Sequence, residues 1–220
     1  MVDFKDFAGD DFFVGCNYWS SHAGTYMWRN YREDIVEKDF AALNRNNVQV
    51  IRMFPLWPDF QPIHMHTKWA NLPHDMRFAD KALPDTEAGR AGVDEAMMDH
   101  FRNFCDLATK YNLKLVVGLV TGWMSGRMYV PPAFYNVDVL TDPTAIKWQV
   151  RMVSYIVKSM KNHPAIMAWD LGNECNCMGQ VNTAEQAWVW SNAITAAIKV
   201  EDPVRPVVSG MHSLVCFDNQ

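Results

Sequence analysis

Short, nearly all-apolar runs alternate along this chain with longer segments whose apolar residues recur every three or four positions, and that alternation limits the possible folds more than any other feature. The short runs are 12–19 (FFVGCNYW), 48–54 (VQVIRMF), 113–122 (LKLVVGLVTG), 165–174 (AIMAWDLGNE) and 206–214 (PVVSGMHSL). Between them lie 32–47, 94–112, 142–162 and 183–200. In the first of these segments Ile35, Val36, Phe40 and Leu43 share one helical face, and in the second Met97, Met98, Phe101, Phe104, Cys105 and Ala108 do. A run that is apolar at every position must be covered on both faces, as strands of a parallel sheet are. Strand, helix, strand with short returns therefore predicts parallel βαβ units with right-handed crossovers.

Two architectures satisfy that pattern, a doubly wound sheet and a (β/α)8 barrel. GCNYWSSHAG after the first strand lacks the GxGxxG spacing of a dinucleotide fingerprint. Loop lengths point the same way. The returns from helix to strand (Asn46-Asn47, Tyr111-Asn112, His163-Pro164) are tight, whereas 56–93 and 123–141, which follow the second and third strands, are long. Long loops at the carboxyl ends of strands are where barrels carry their active sites. The expected fold is a (β/α)8 TIM barrel, with about the first five of its strands within residues 1–220 as one catalytic domain.

Composition narrows the partners. The net charge of -5 offers no basic footprint for nucleic acid or an anionic membrane surface. No run approaches the roughly 20 apolar residues of a membrane span. Five cysteines without regular spacing do not describe a disulfide framework, and Cys175-Asn176-Cys177 lacks the second ligand pair of a zinc site. The opening MVDFKDFAGDDFF has no apolar leader core, so a cytoplasmic protein is expected, or a secreted one if a leader has been removed. No metal or cofactor is expected, and the partner expected is the remaining half of a barrel, or a second copy by self-association.

The chemistry concentrates in WDLGNE, residues 169–174. An apolar strand running into Asn-Glu sets a carboxylic acid beside an amide at a barrel mouth. Glycoside hydrolysis needs such a pair: an acid to protonate the leaving oxygen and a hydrogen-bond partner for the sugar 2-OH. Glu174 is the candidate acid/base and Asn173 the candidate 2-OH partner. Arg52, inside an apolar strand, needs a buried partner. Asp170 reads as support for the barrel interior.

GCNYW on strand one, VIRMF on strand two and WDLGNE on strand four together resemble the clan of (β/α)8 retaining glycoside hydrolases that includes family 5 cellulases and β-mannanases. The resemblance implies a retaining β-glycoside hydrolase acting on a carbohydrate substrate, with Glu174 as acid/base, Arg52 orienting the nucleophile, and that nucleophile a Glu on strand seven, beyond residue 220. Trp123 stands where family 5 members often carry a His.

Trp19, Trp57, Trp69 and Trp123 fall at strand ends or in upper loops, where an aromatic face can stack on a sugar ring. Trp188 and Trp190 read as helix packing. His64, His66 and His212 are candidate substrate contacts, His64 and His66 lacking the carboxylate cluster a metal would want. Two other readings stay open: a non-catalytic carbohydrate-binding protein on a partial barrel, and a metal-dependent isomerase or aldolase, for which neither a buried Lys nor a set of strand-end ligands is evident.

Overall fold

In a computed structural model of the chain, which describes residues 12–66 and 75–212, five parallel strands form one sheet. They are β1 (Gly15–Asn17), β2 (Val50–Met53), β6 (Lys114–Val120), β9 (Ile166–Gly172) and β10 (Val207–Val208), side by side in that order. Spatial order thus equals chain order. A doubly wound sheet reverses its order at a switch point, and no reversal occurs here, so the strands trace an arc of a (β/α)8 barrel.

The helices follow from the stripes read in the sequence. Helix α1 (Glu33–Arg45) buries Val36 and Phe40, and α4 (Glu95–Lys110) buries Met98, Phe101, Phe104, Cys105, Leu107 and Ala108. Helices α5 (Pro143–Met160) and α6 (Ala184–Glu201) complete the layer. Side-chain caps start three of them: Asp94 accepts from Ala96 N, Asp142 from Ala145 N and Thr183 from Gln186 N, each satisfying a backbone donor that an open helix end leaves bare. Asn47 (φ 57) and Asn112 (φ 53) take the left-handed conformation that turns α1 and α4 back to the sheet. No described helix is long and apolar enough to cross a membrane.

The long second loop has a structure of its own. It holds two short helices, α2 (Trp57–Phe60) and α3 (Glu87–Ala91), and an antiparallel sheet of β3 (Ile63–His66), β4 (Asp75–Phe78) and β5 (Lys81–Ala82). The third loop forms a hairpin of β7 (Trp123–Met124) and β8 (Arg127–Met128). Periodicity alone read both as loops because strands of two to four residues are too short to show a period.

Three expectations need correction. The first strand was expected to be buried, yet Gly15–Asn17 is exposed, since β1 lies at the edge of the described sheet and pairs only with β2. The fifth strand was expected over 206–214 and is a pair of residues, Val207–Val208, with 213 and 214 outside the described residues. Trp190 packs as expected, its indole nitrogen donating to Gln149 Oε1 at 2.8 Å, but Trp188 on the same helix is 65% exposed.

Beneath β1 and β2, Tyr18, Trp28, Phe40, Phe60, Phe101 and Phe104 form an interlocked aromatic cluster. Phe104 meets Phe40 edge-on (4.9 Å between centroids, 80°) and tilts against Tyr18 and Trp28 at 5.6 Å. Fully buried and surrounded by rigid rings, it can leave only an uncollapsed cavity on truncation. Phe104→Ala should cost about 3–5 kcal/mol in urea unfolding; a loss below about 1 kcal/mol would show that the cluster does not hold α1 and α4 to the sheet.

Candidate active site

The site forms where β9 ends. All seven residues of β9 are buried, and Gly172 lets the strand approach β6: a Cβ there would lie 2.1 Å from the Val120 carbonyl oxygen. Two residues later the extended backbone breaks. Glu174 adopts φ 48, ψ 48, and its carbonyl accepts from Cys177 N at 2.7 Å to open the single turn Cys175–Cys177. A left-handed Glu lacks the local side-chain bonding that excuses Asn, costs of order 1–3 kcal/mol, and is held only where its surroundings over-determine it.

Arg52 is the main restraint. From β2 it reaches across β6, its Nε donating to Asp170 Oδ2 at 2.6 Å, Nη1 to Asn173 Oδ1 at 3.1 Å and Nη2 to the Gly172 carbonyl at 2.8 Å. One guanidinium thus grips three residues of the β9 terminus. Its planar fork makes this possible where a Lys ammonium would not. Asp170 has a fully buried side chain, and its Oδ1 also accepts from Gly172 N. Burial pushes the Asp170 carboxyl above the ordinary carboxylate value, and the adjacent Arg52 charge pulls it back. The Arg52 partner found in the structure is therefore Asp170, and two of the five guanidinium N–H groups remain available.

An aromatic stack backs the arginine. Its guanidinium carbon sits 4.7 Å from the Phe54 ring centre, and Phe54 stacks on the half-buried Trp19 at 5.6 Å and 22°. Gly118, in register with Asp170 on β6, makes room, since a Cβ there would lie 2.9 Å from the Phe54 ring. Phe54, Gly118 and Gly172 were not singled out from sequence. A glycine in the middle of LVVGLV, where it weakens a strand, was the available signal.

Asn173, 6% exposed, is fixed at both ends: Oδ1 by Arg52, and Nδ2 by a bond to the Trp123 carbonyl at 3.1 Å. One amide hydrogen is left over. The half-buried Glu174 carboxylate accepts no hydrogen bond from the described residues. A fixed amide and an uncommitted carboxyl therefore stand side by side at the strand mouth. The exit of β10 is tied to the same turn, with Asn176 Oδ1 accepting from His212 N at 2.8 Å while His212 itself is exposed.

The remaining candidates divide. Trp57 is not a sugar platform: it is fully buried, donates to Gln61 Oε1 at 2.9 Å and stacks on Phe134, anchoring the second loop to the core. Trp123 is half-buried and touches the site through its backbone. His64 and His66 lie on β3, where a His66 ring nitrogen meets the Ala79 carbonyl at 3.0 Å, and neither is hydrogen-bonded to Arg52, Asn173 or Glu174. Trp69 lies outside the described residues. Among those described, no cluster of three His, Cys, Asp or Glu could hold a metal.

Residues 105–214, half of the chain, match the TIM-barrel domain of glycosyl hydrolases family 2, and the chain belongs to that family. A probable mannan endo-1,4-β-mannosidase F from Neosartorya fischeri is 33% identical over 107 residues, covering 47% of this chain and 23% of that protein. An exo-β-1,4-mannosidase from Opitutaceae bacterium strain TAV5 superposes with a TM-score of 0.75 at 25% identity, over 96% of this chain and 34% of that one. The GH5_18 structure from Streptomyces cattleya shares the fold, with a TM-score of 0.71 at 19% identity, over 90% of this chain and 44% of that one. The chain spans about a quarter of the length of the curated relatives it matches.

Arg52→Met would strand the Asp170 carboxylate in the interior and should cost about 3–5 kcal/mol in denaturant unfolding. Replacing Asp170 by Leu as well should recover a large part of that. A double variant as unstable as the single would mean that the pair is not coupled.

Proposed function

We propose that this chain supplies the acid/base half of a retaining β-glycosidase acting on β-1,4-linked mannosides. The observation that carries the reading is Glu174: a carboxyl held in a left-handed backbone at the mouth of the fourth barrel strand, accepting no hydrogen bond from the described residues, beside an asparagine fixed by Arg52. The mannoside class is supported by the mannosidases among its relatives.

In this mechanism Glu174 donates its proton to the departing glycosidic oxygen while a second carboxylate, outside the described residues, attacks the anomeric carbon to form a glycosyl-enzyme. Glu174, now ionised, takes a proton from water, and the resulting hydroxide equivalent displaces the nucleophile with net retention. The free amide hydrogen of Asn173 donates to the sugar 2-OH, a bond that strengthens as positive charge develops at the anomeric centre. The unused N–H groups of Arg52 are the donors this mechanism assigns to the nucleophile, whose ionised form a nearby guanidinium favours. Retention requires the two carboxyls to stand about 5–5.5 Å apart.

Glu174→Gln in the full-length gene product should lower kcat/KM on β-1,4-mannobiose by about 10²–10⁴-fold. An aryl β-mannoside with a good leaving group should lose less in its first step, and azide should restore turnover by yielding β-mannosyl azide. Undiminished mannobiose hydrolysis by the variant would remove Glu174 from the acid/base role.

A further inference from the structure

The helices of the arc do not all present the same kind of face to solvent. On α1, α4 and α5 the exposed positions include Asp34, Lys38, Asp99, Asp106, Lys147 and Arg151, as a water-facing stripe requires. Helix α6 differs. Its buried side is Trp190, Ile194, Ala197 and Ile198. At 3.6 residues per turn the opposite face carries Trp188, Val189, Asn192, Ala196 and Val200. Trp188 is 65% exposed, Val189 50% and Val200 80%. The face points directly away from the sheet, so it is not the side on which a neighbouring barrel helix packs. An apolar stripe turned to solvent around a tryptophan marks an interaction surface.

We propose that this face pairs with the same face of a second copy of the chain, the two α6 helices running antiparallel about a two-fold axis at Asn192. The stripe is complementary to itself in that arrangement. Across a two-fold axis, a residue that meets a second residue of the partner is itself met by the partner's copy in return. With the axis at Asn192, Trp188 stands opposite Ala196, a large ring against a small side chain, and Val200 stands opposite Ala184. Glu185 stands opposite Lys199, so each copy supplies the anion of one contact and the cation of the other. Neither is in an ion pair with the described residues, and the Lys199 ammonium donates to the carbonyls of Pro203 and Arg205. Asn192 meets its own counterpart, and two amides, each with a donor and an acceptor, can bond reciprocally. A polar residue of this kind fixes register in a helix pair.

Other arrangements lose these matches. A parallel pair would set Glu185 beside Glu185 and Lys199 beside Lys199. Sliding the antiparallel pair by one turn would remove both the charge pairing and the amide pairing. The 18 residues of α6 span about 27 Å. One helix pair of that length falls below the roughly 1,200 Å2 of standard interfaces, which sets a weak dimer with a Kd on the order of 10–100 µM. Trp188 carries most of the affinity, and the rim charges set orientation. The amino end of α6 lies at the Glu174 end of β9. Antiparallel helices therefore point the two barrel mouths in opposite directions and leave both open.

The test is sedimentation velocity on the full-length gene product between about 1 and 300 µM. The wild type should pass from monomer to dimer across that range. Trp188→Glu should stay monomeric with an unchanged far-UV circular dichroism spectrum and Tm, since the side chain it replaces is exposed. Glu185→Lys, which sets like charges against Lys199 at both ends of the pair, should weaken dimerisation about fivefold. Combining it with Lys199→Glu should return the Kd to within about twofold of the wild type. Trp188→Glu decides independently of Lys199, whose bonds to Pro203 and Arg205 the charge reversal breaks. A protein that stays monomeric to about 300 µM, or a dimer that survives Trp188→Glu, would overturn the pairing. A folded double variant no tighter than Glu185→Lys alone would overturn it as well. None of these outcomes bears on the reaction assigned to Glu174.

Discussion

The ion pair between Arg52 and Asp170 governs the geometry of everything at the mouth of this barrel arc. It joins β2 to β9 across β6, with a fully buried carboxylate on one side and a guanidinium 26% exposed on the other. Taking two charges out of water repays its cost only where geometry is close and the remaining donors are used. The first condition holds with a contact of 2.6 Å, and the second in part: two further arms of Arg52 grip Asn173 and the Gly172 carbonyl, and two N–H groups are left over. The pair therefore acts less as a source of stability than as a gauge of position. It fixes the last residues of β9 so that the chain can leave the ladder through a left-handed Glu174.

That arrangement separates two roles. Asn173 is committed at both ends of its amide and cannot swing, while the Glu174 carboxylate accepts no hydrogen bond from the described residues. A rigid hydrogen-bond donor beside an unengaged carboxyl is what the proposed reaction asks for, one group holding a hydroxyl while the other passes protons between a leaving oxygen and water. The Phe54–Trp19 stack behind Arg52 serves the same end by closing one face of the guanidinium with rings rather than water.

Much of this was legible in the residues. WDLGNE located Glu174 and Asn173 because an apolar strand that stops at Asn-Glu has few structural reasons to do so. The demand that an arginine in VIRMF find a buried partner was sound, but Asp170 as that partner was not legible. The two are 118 positions apart, and their meeting depends on β2 and β9 both pairing with β6. Trp57 misled for a related reason: Trp beside Pro in an upper loop has the same sequence signature whether its ring faces a sugar or, as here, fills the core against Phe134.

By itself the sequence determined the alternation of strand and helix, the segments 94–112, 142–162 and 183–200 as helices, and the placing of Asn173 and Glu174 at the end of the fourth strand. These are local properties, set by side-chain period and by the bonding of a few neighbouring groups. Only the tertiary structure decided that the sheet winds in one direction, that the second loop folds on a small antiparallel sheet, and that Asp170 answers Arg52. Each of these is a contact between segments far apart in the chain, and no periodicity within a segment records which distant segment it will meet.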